Sequence, residues 1–118
     1  MAPLGDLFVA ADERRLQFGG LSAFMSSYFE LQRALIDVGT GAGLSETEAR
    51  SYVVSLLGML ADTARHTPAQ SFDGLAAEHQ TRGGLNERVR AELLEKGWFD
   101  VPGAALQATT GLGYKTLG

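Results

Sequence analysis

The residues best suited to chemistry in this chain lie in one short run, Thr81-Arg82-Gly83-Gly84-Leu85-Asn86. Two glycines at the entry to a helix leave backbone amides open, and free amides at a helix N-terminus bind a carboxylate or a phosphate. Arg82 adds positive charge, and the Asn86 carboxamide adds both donors and an acceptor. Spacing alone equally describes a plain loop-to-helix turn with Thr81 or Asn86 as its cap. The remaining candidates carry less. His66 and His79 match no metal-ligand spacing and read as a helix-end and a packed or half-exposed histidine. Ser22, Ser26 and Ser27 have no base near them in sequence, so small-residue packing is preferred to a Ser-His-acid set. The carboxylates of Glu46 and Glu48 are explained by helix capping. Lys96 compensates a helix dipole, and Trp98 with Phe99 reads as the anchor of a helix end rather than an aromatic lid.

The elements that must hold these residues belong to one domain. A chain of 118 residues can bury roughly two-thirds of its unfolded surface without staples. With 45% hydrophobic and 20% charged residues, the composition is that of a folded globular protein. No cysteine is present, which excludes disulfides, thiol catalysis and thiolate metal sites and fits a reducing, cytoplasmic setting. A net charge of -4 without a basic stripe argues against a nucleic-acid partner. The longest apolar run, from Val53 to Ala61, is broken by Ser55 and Gly58 and is too short to span a bilayer. The N-terminus shows no signal-peptide pattern. Fifteen glycines, nearly double the usual share of about 7%, fall mostly where helices end.

Periodicity predicts an all-α chain of five main helices, with Leu7-Phe8-Val9 as one weak strand. Asp12 opens a short helical turn that the pair Gly19-Gly20 is expected to end. Leu21, Phe24, Met25, Tyr28, Leu31, Leu35 and Val38 form the stripe of a helix closing at residues 39–43. Ser45-Glu46-Thr47-Glu48 is a capping box. It opens a helix whose stripe runs from Ala49 through Tyr52, Val53, Leu56, Leu57 and Leu60 to Ala64. Gly58 inside that helix costs about 1 kcal/mol relative to Ala, and close approach of another backbone best accounts for it. His66-Thr67-Pro68 ends the helix. Phe72 to His79 is a shorter one, Leu85 to Leu93 another with Gly97 as its C-terminal cap, and Pro102 opens a last helix extending over Leu112 and Tyr114.

The order of these features resembles the C-terminal helical domain of pyrroline-5-carboxylate reductase. The family has a serine-proline-glycine-glycine-threonine-threonine stretch and then a helix ending in leucine-glutamate, two residues, glycine and an aromatic. Here the corresponding residues are Thr81-Arg82-Gly83-Gly84-Leu85-Asn86 and Leu93-Leu94-Glu95-Lys96-Gly97-Trp98. Ala42-Gly43-Leu44-Ser45 with Ala49, the placement of Gly58, and Leu21-Ser22 with Tyr28 also resemble the family pattern. The likeness covers the chain from about Leu7 onward. It departs at Ala23-Phe24-Met25-Ser26-Ser27, where the family has glycine-serine-glycine-proline-alanine, and at Arg82, Leu85 and Asn86.

The resemblance implies a multi-helix bundle like the C-terminal domain of 6-phosphogluconate dehydrogenase-like reductases, interlocked as a homodimer through helices 21–38 and 45–65. Residues 1–118 are then the dimerisation and substrate-binding domain, with residues 1–10 expected to be the end of an N-terminal Rossmann domain that the chain lacks. The implied parent is an NAD(P)-dependent oxidoreductase of the proline-biosynthesis type that reduces an imine. Thr81, Arg82, Gly83, Gly84, Leu85 and Asn86 would hold the small imine or carboxylate substrate. By position, Asn86 takes the catalytic place beside the ring nitrogen. NADP or NAD would sit on the other domain, so this chain is expected to hold no cofactor and to be inactive alone. The alternative, prompted by the altered glycine-rich segments, is a non-catalytic all-α oligomerisation module.

Overall fold

The computed structural model describes residues 12–112, and every regular element among them is a helix. In chain order these are α1 (Asp12–Leu21), a 3₁₀ turn (Ser22–Phe24), α2 (Met25–Gly41), α3 (Glu46–His66), α4 (Phe72–Glu78), α5 (Leu85–Glu95), a second 3₁₀ turn (Trp98–Asp100) and α6 (Val101–Thr110). The five expected main helices are present. The expected strand at Leu7-Phe8-Val9 lies outside the described residues.

Two expectations are corrected. Gly19-Gly20 does not end the first helix, which continues to Leu21 and runs into the next through a single 3₁₀ turn. A Cβ on Gly20 would overlap the Leu112 side chain, so this glycine serves close packing within a helix. The last helix does not reach Leu112: Gly111 turns left-handed at φ 77° and closes α6 at Thr110.

The α2–α3 hairpin is the main packed unit. Its turn is closed at both ends by local hydrogen bonds. At the end of α2, the Gly43 amide donates to Thr40 O (3.1 Å) and the Leu44 amide to Gly39 O (3.1 Å). With Gly43 at φ 109°, this is a Schellman closure. At the start of α3 the Ser45 hydroxyl accepts from the Glu48 amide (3.1 Å), and the Glu48 carboxylate accepts from the Ser45 amide (2.9 Å). The expected capping box is therefore formed. The Ser45 amide's donation, and after it the hydrogen bonding of the Ser45 side chain, hold the Glu48 carboxyl below its ordinary range.

The two helices touch most closely where Gly39 meets Ala49. A Cβ on Gly39 would stand 3.0 Å from the Ala49 Cβ and 3.4 Å from Leu44 Cδ1. Ala49 is 2% exposed. Along the rest of the hairpin, Tyr28, Leu31 and Ile36 of α2 and Val53, Leu56 and Leu60 of α3 are half-buried.

A second group forms where α1, the first 3₁₀ turn and α6 meet, with α5 joined to α6 through Trp98–Asp100. The Gly97 amide donates to Leu94 O (3.0 Å), and Gly97 at φ 72° ends α5 as the spacing predicts. Short α4 lies by the end of α3, where Leu75 is buried. Ala49 and Leu75 are the only buried apolar residues among those described, while large side chains such as Phe29, Val38, Tyr52 and Met59 are more than half exposed.

Ala49→Leu forces three extra carbons against Gly39 and is expected to lower unfolding stability by about 1–3 kcal/mol in denaturant titration; a neutral result would mean the hairpin does not close on this contact. The pH response of α3 follows from Glu48. Its folded-state pKa is depressed, so its contribution is present above the ordinary carboxylate range and lost as pH falls through the folded value. Glu48→Gln keeps an acceptor for the Ser45 amide without the charge. The parent should therefore lose more thermal stability on acidification than this variant, and equal acid sensitivity would count against the assignment.

Candidate functional site

Residues 81–86 form a tight turn into α5. The Gly84 amide donates to Thr81 O at 2.9 Å, and the Gly84 carbonyl accepts the Arg88 amide at 3.1 Å as α5 begins. Gly83 sits in the left-handed region at φ 74°. Gly84 is extended, and a Cβ there would overlap Thr81 Oγ1. Each glycine thus has a local reason: one supplies a backbone conformation that side chains disfavour, and the other leaves room for Thr81.

The turn also carries an anion of its own. Glu87, in the first turn of α5, accepts from the Gly83 amide through Oε1 at 2.6 Å. A carboxylate here satisfies one open amide and sits at the positive end of the helix. The expectation that the Gly84 amide faces a ligand is therefore corrected, because that amide is spent on Thr81 O. Gly84 and Glu87 stand at the N-cap and N3 spacing of a capping box, but the carboxylate takes the Gly83 amide, one residue before the N-cap. The Leu85 and Asn86 amides belong to the open first turn of α5, and Thr81, Arg82, Leu85 and Asn86 are all exposed. Six candidate residues are thus contiguous and accessible. What the turn can do is bind a small anion weakly through the Leu85 and Asn86 amides, the Asn86 carboxamide and Arg82, in competition with Glu87.

The other sequence candidates take structural positions. Nδ1 of His66 donates to the Asp62 carbonyl (2.8 Å), and Nδ1 of His79 to the Leu75 carbonyl (2.7 Å). Each imidazole is thereby turned back on its own helix. No group of three or more metal-ligating side chains is assembled among the described residues. The Ser22 hydroxyl donates to Phe18 O (3.1 Å), whereas Ser26 and Ser27 are exposed, contrary to the expected packing, with Ser27 at the rim of a hollow between α2 and α6. Lys96 pairs with Glu92 at 2.7 Å on the flank of α5. Trp98 and Phe99 meet edge to face with ring centres 5.1 Å apart. Trp98 borders a hollow of about 470 Å³ between α2 and α6, together with Phe24, Leu31, Pro102 and Leu106. Sequence reasoning missed this mainly apolar hollow, because its walls come from helices seventy residues apart.

Comparison with models of protein families, with curated proteins and with solved structures finds no match to this chain. Among the described residues no helix is long and apolar enough to cross a membrane.

The geometry of the turn makes a stability prediction. Gly83→Ala places a Cβ on a left-handed residue and should cost about 1–2 kcal/mol in thermal or chemical unfolding. The exposed neighbour Arg82→Ala should stay within about 0.5 kcal/mol of the parent. Equal effects of the two would show that the left-handed turn is not what shapes this segment.

Proposed function

We propose that this chain is a helical dimerisation domain, and that it serves as the substrate-binding half of a pyrroline-5-carboxylate reductase-like, NAD(P)-dependent imine reductase. The carrying observation is the balance of burial: among the described residues Ala49 and Leu75 alone are buried, while apolar side chains on α1, α2, α3, α5 and α6 remain exposed. A helix stripe left open in this way is covered by another element in a stable protein. A second copy of the chain supplies that element at no cost in new sequence. The accessible turn at residues 81–86 and the all-helical order support the reductase part of the reading.

In such a parent the nicotinamide, held on a separate domain, supplies the hydride. The residues of this chain orient the substrate. The Leu85 and Asn86 amides and Arg82 receive its carboxylate at the start of α5, and the Asn86 carboxamide faces the ring nitrogen. Glu87 must leave the Gly83 amide or share the helix end with that carboxylate.

A second reading, a stand-alone oligomerisation module, is favoured by one observation. The Gly83 and Gly84 amides are both occupied from within the chain, so the turn is complete without a ligand.

Light scattering of the full chain at micromolar concentration is expected to give twice the chain mass, and a monodisperse monomer would refute both readings. Titration with L-proline, which carries the carboxylate of the expected substrate class, separates them. The reductase reading expects the Leu85 and Asn86 amide resonances to shift first. Asn86→Ala, which removes a neutral hydrogen bond worth about 0.5–1.5 kcal/mol, should weaken binding roughly two- to twelvefold. A dimer with no shift in this turn leaves the module reading standing alone.

A further inference from the structure

α3 spans 21 residues and uses one face on its own chain. Ala49 meets Gly39 of α2, and Val53, Leu56 and Leu60 on the same side of the helix are half-buried. On the opposite side Ser51, Ser55, Gly58 and Asp62 are all exposed, while Val54 stands at the edge of this face, in a hollow it shares with Phe29 and Arg33 of α2. Val54 and neighbouring Met59 are 47% and 54% exposed. Gly58 stands in the middle of the helix, where it costs about 1 kcal/mol relative to Ala. The close backbone approach expected there is absent within the chain, since a Cβ on Gly58 meets nothing within 4 Å. The described residues of its own chain thus give no reason for the glycine.

The charges along α3 specify what fits this face. Glu46 and Glu48 stand in the first turn, and Arg65 and His66 in the last. A second α3 laid parallel sets acid against acid and base against base. Laid antiparallel, it sets the acidic start of each helix beside the basic end of the other. Apart from Asp62, which is 4.0 Å from Arg65 of its own helix, the centre of the face, Ser51, Ser55 and Gly58, is small, so two backbones can approach closely there.

We infer that the outward face of α3 is an interface between two copies of this chain, with the helices antiparallel and crossing at a twofold axis between Ser55 and Gly58. The inference rests on the dimer reading above and adds to it the face, the direction and the register. In that register Ser55 faces the partner's Gly58, and Ser51 faces the partner's Asp62. Arg50, one residue along, comes beside the same Asp62 and can pair with it. Gly58 is where the partner helix packs, which accounts for a glycine that the single chain leaves unexplained. An isologous contact of this kind closes at two copies, so the face does not propagate into a fibre.

The absence of cysteine allows a direct test by disulfide trapping in the full chain. A helix rises about 1.5 Å per residue, so Ser55 and the partner's Gly58 lie at one level, whereas the two Arg50 residues are about 20 Å apart along the axis. A disulfide needs Cα atoms within about 7 Å. Mixed Ser55→Cys and Gly58→Cys chains, oxidised mildly, are expected to give a covalent dimer in which mass spectrometry finds residue 55 joined to residue 58. Arg50→Cys alone should not cross-link. Gly58→Leu, a better helix former than glycine, should raise the dimer dissociation constant at least about tenfold while leaving helix content unchanged. Ready cross-linking of Arg50→Cys would mean a parallel arrangement and overturn the inference. A dimer by light scattering that neither traps through residues 55 and 58 nor weakens with Gly58→Leu would overturn it too, while leaving the dimer reading intact. A monomeric parent chain would overturn both.

Discussion

The contact between Gly39 and Ala49 is the constraint from which the described structure is built. Two helices approach this closely only where both side chains are nearly absent, and Ala49 is correspondingly the most deeply buried side chain described. The contact lies just beside the turn, so it fixes the angle at which α3 leaves α2. The Schellman closure through Gly43 and the capping box through Ser45 and Glu48 bring the chain to that point with the amides of Gly43, Leu44, Ser45 and Glu48 all paired. From there the half-buried stripe continues along both helices. Leu75 then packs by the far end of α3, so the placement of α4 depends on the same hairpin.

Much of this was legible in sequence, because it is decided within a few residues. A serine three positions before a glutamate specifies a helix start, and a glycine after a periodic run specifies an end; Ser45, Gly43 and Gly97 behave accordingly. Misreading came where a distant residue decides. Gly19-Gly20 looks like a terminator, but Leu112 packs against Gly20 from almost the other end of the chain and the helix continues. The hollow beside Trp98 was invisible for the same reason, since no local pattern says that Phe24 and Leu106 line one space.

The turn at residues 81–86 shows how far local reading goes toward a site. Contiguity of the six residues, and exposure of all but the half-buried Gly84, follow from their position before a helix. Which amides remain available does not. That depends on whether Thr81 folds beneath Gly84 and whether Glu87 reaches back to Gly83, both choices of rotamer and backbone torsion. A glycine pair before a helix is therefore compatible with a ligand cradle and with a self-satisfied turn. The resemblance to the reductase family favours the first, while the internal hydrogen bonds of this turn favour the second.

The polar and apolar groups of the chain stand in contrast. Among the described residues no buried side-chain nitrogen or oxygen lacks a partner, and the helix ends are closed by caps, glycines and back-turned side chains. The apolar groups are far from equally well accommodated: a few kcal/mol per large side chain is gained only on burial, and Phe29, Val38, Tyr52 and Met59 gain little of it here. Local capping cannot substitute for that, since helices in proteins draw most of their stability from packing of an apolar face. Among the described residues the buried polar side-chain atoms are all paired and the apolar core is small, and on that contrast rests the proposed association through helix faces. α3 is the helix best prepared for it, because its inner face already meets α2 and its outer face carries an unexplained glycine between charges of opposite sign at its two ends.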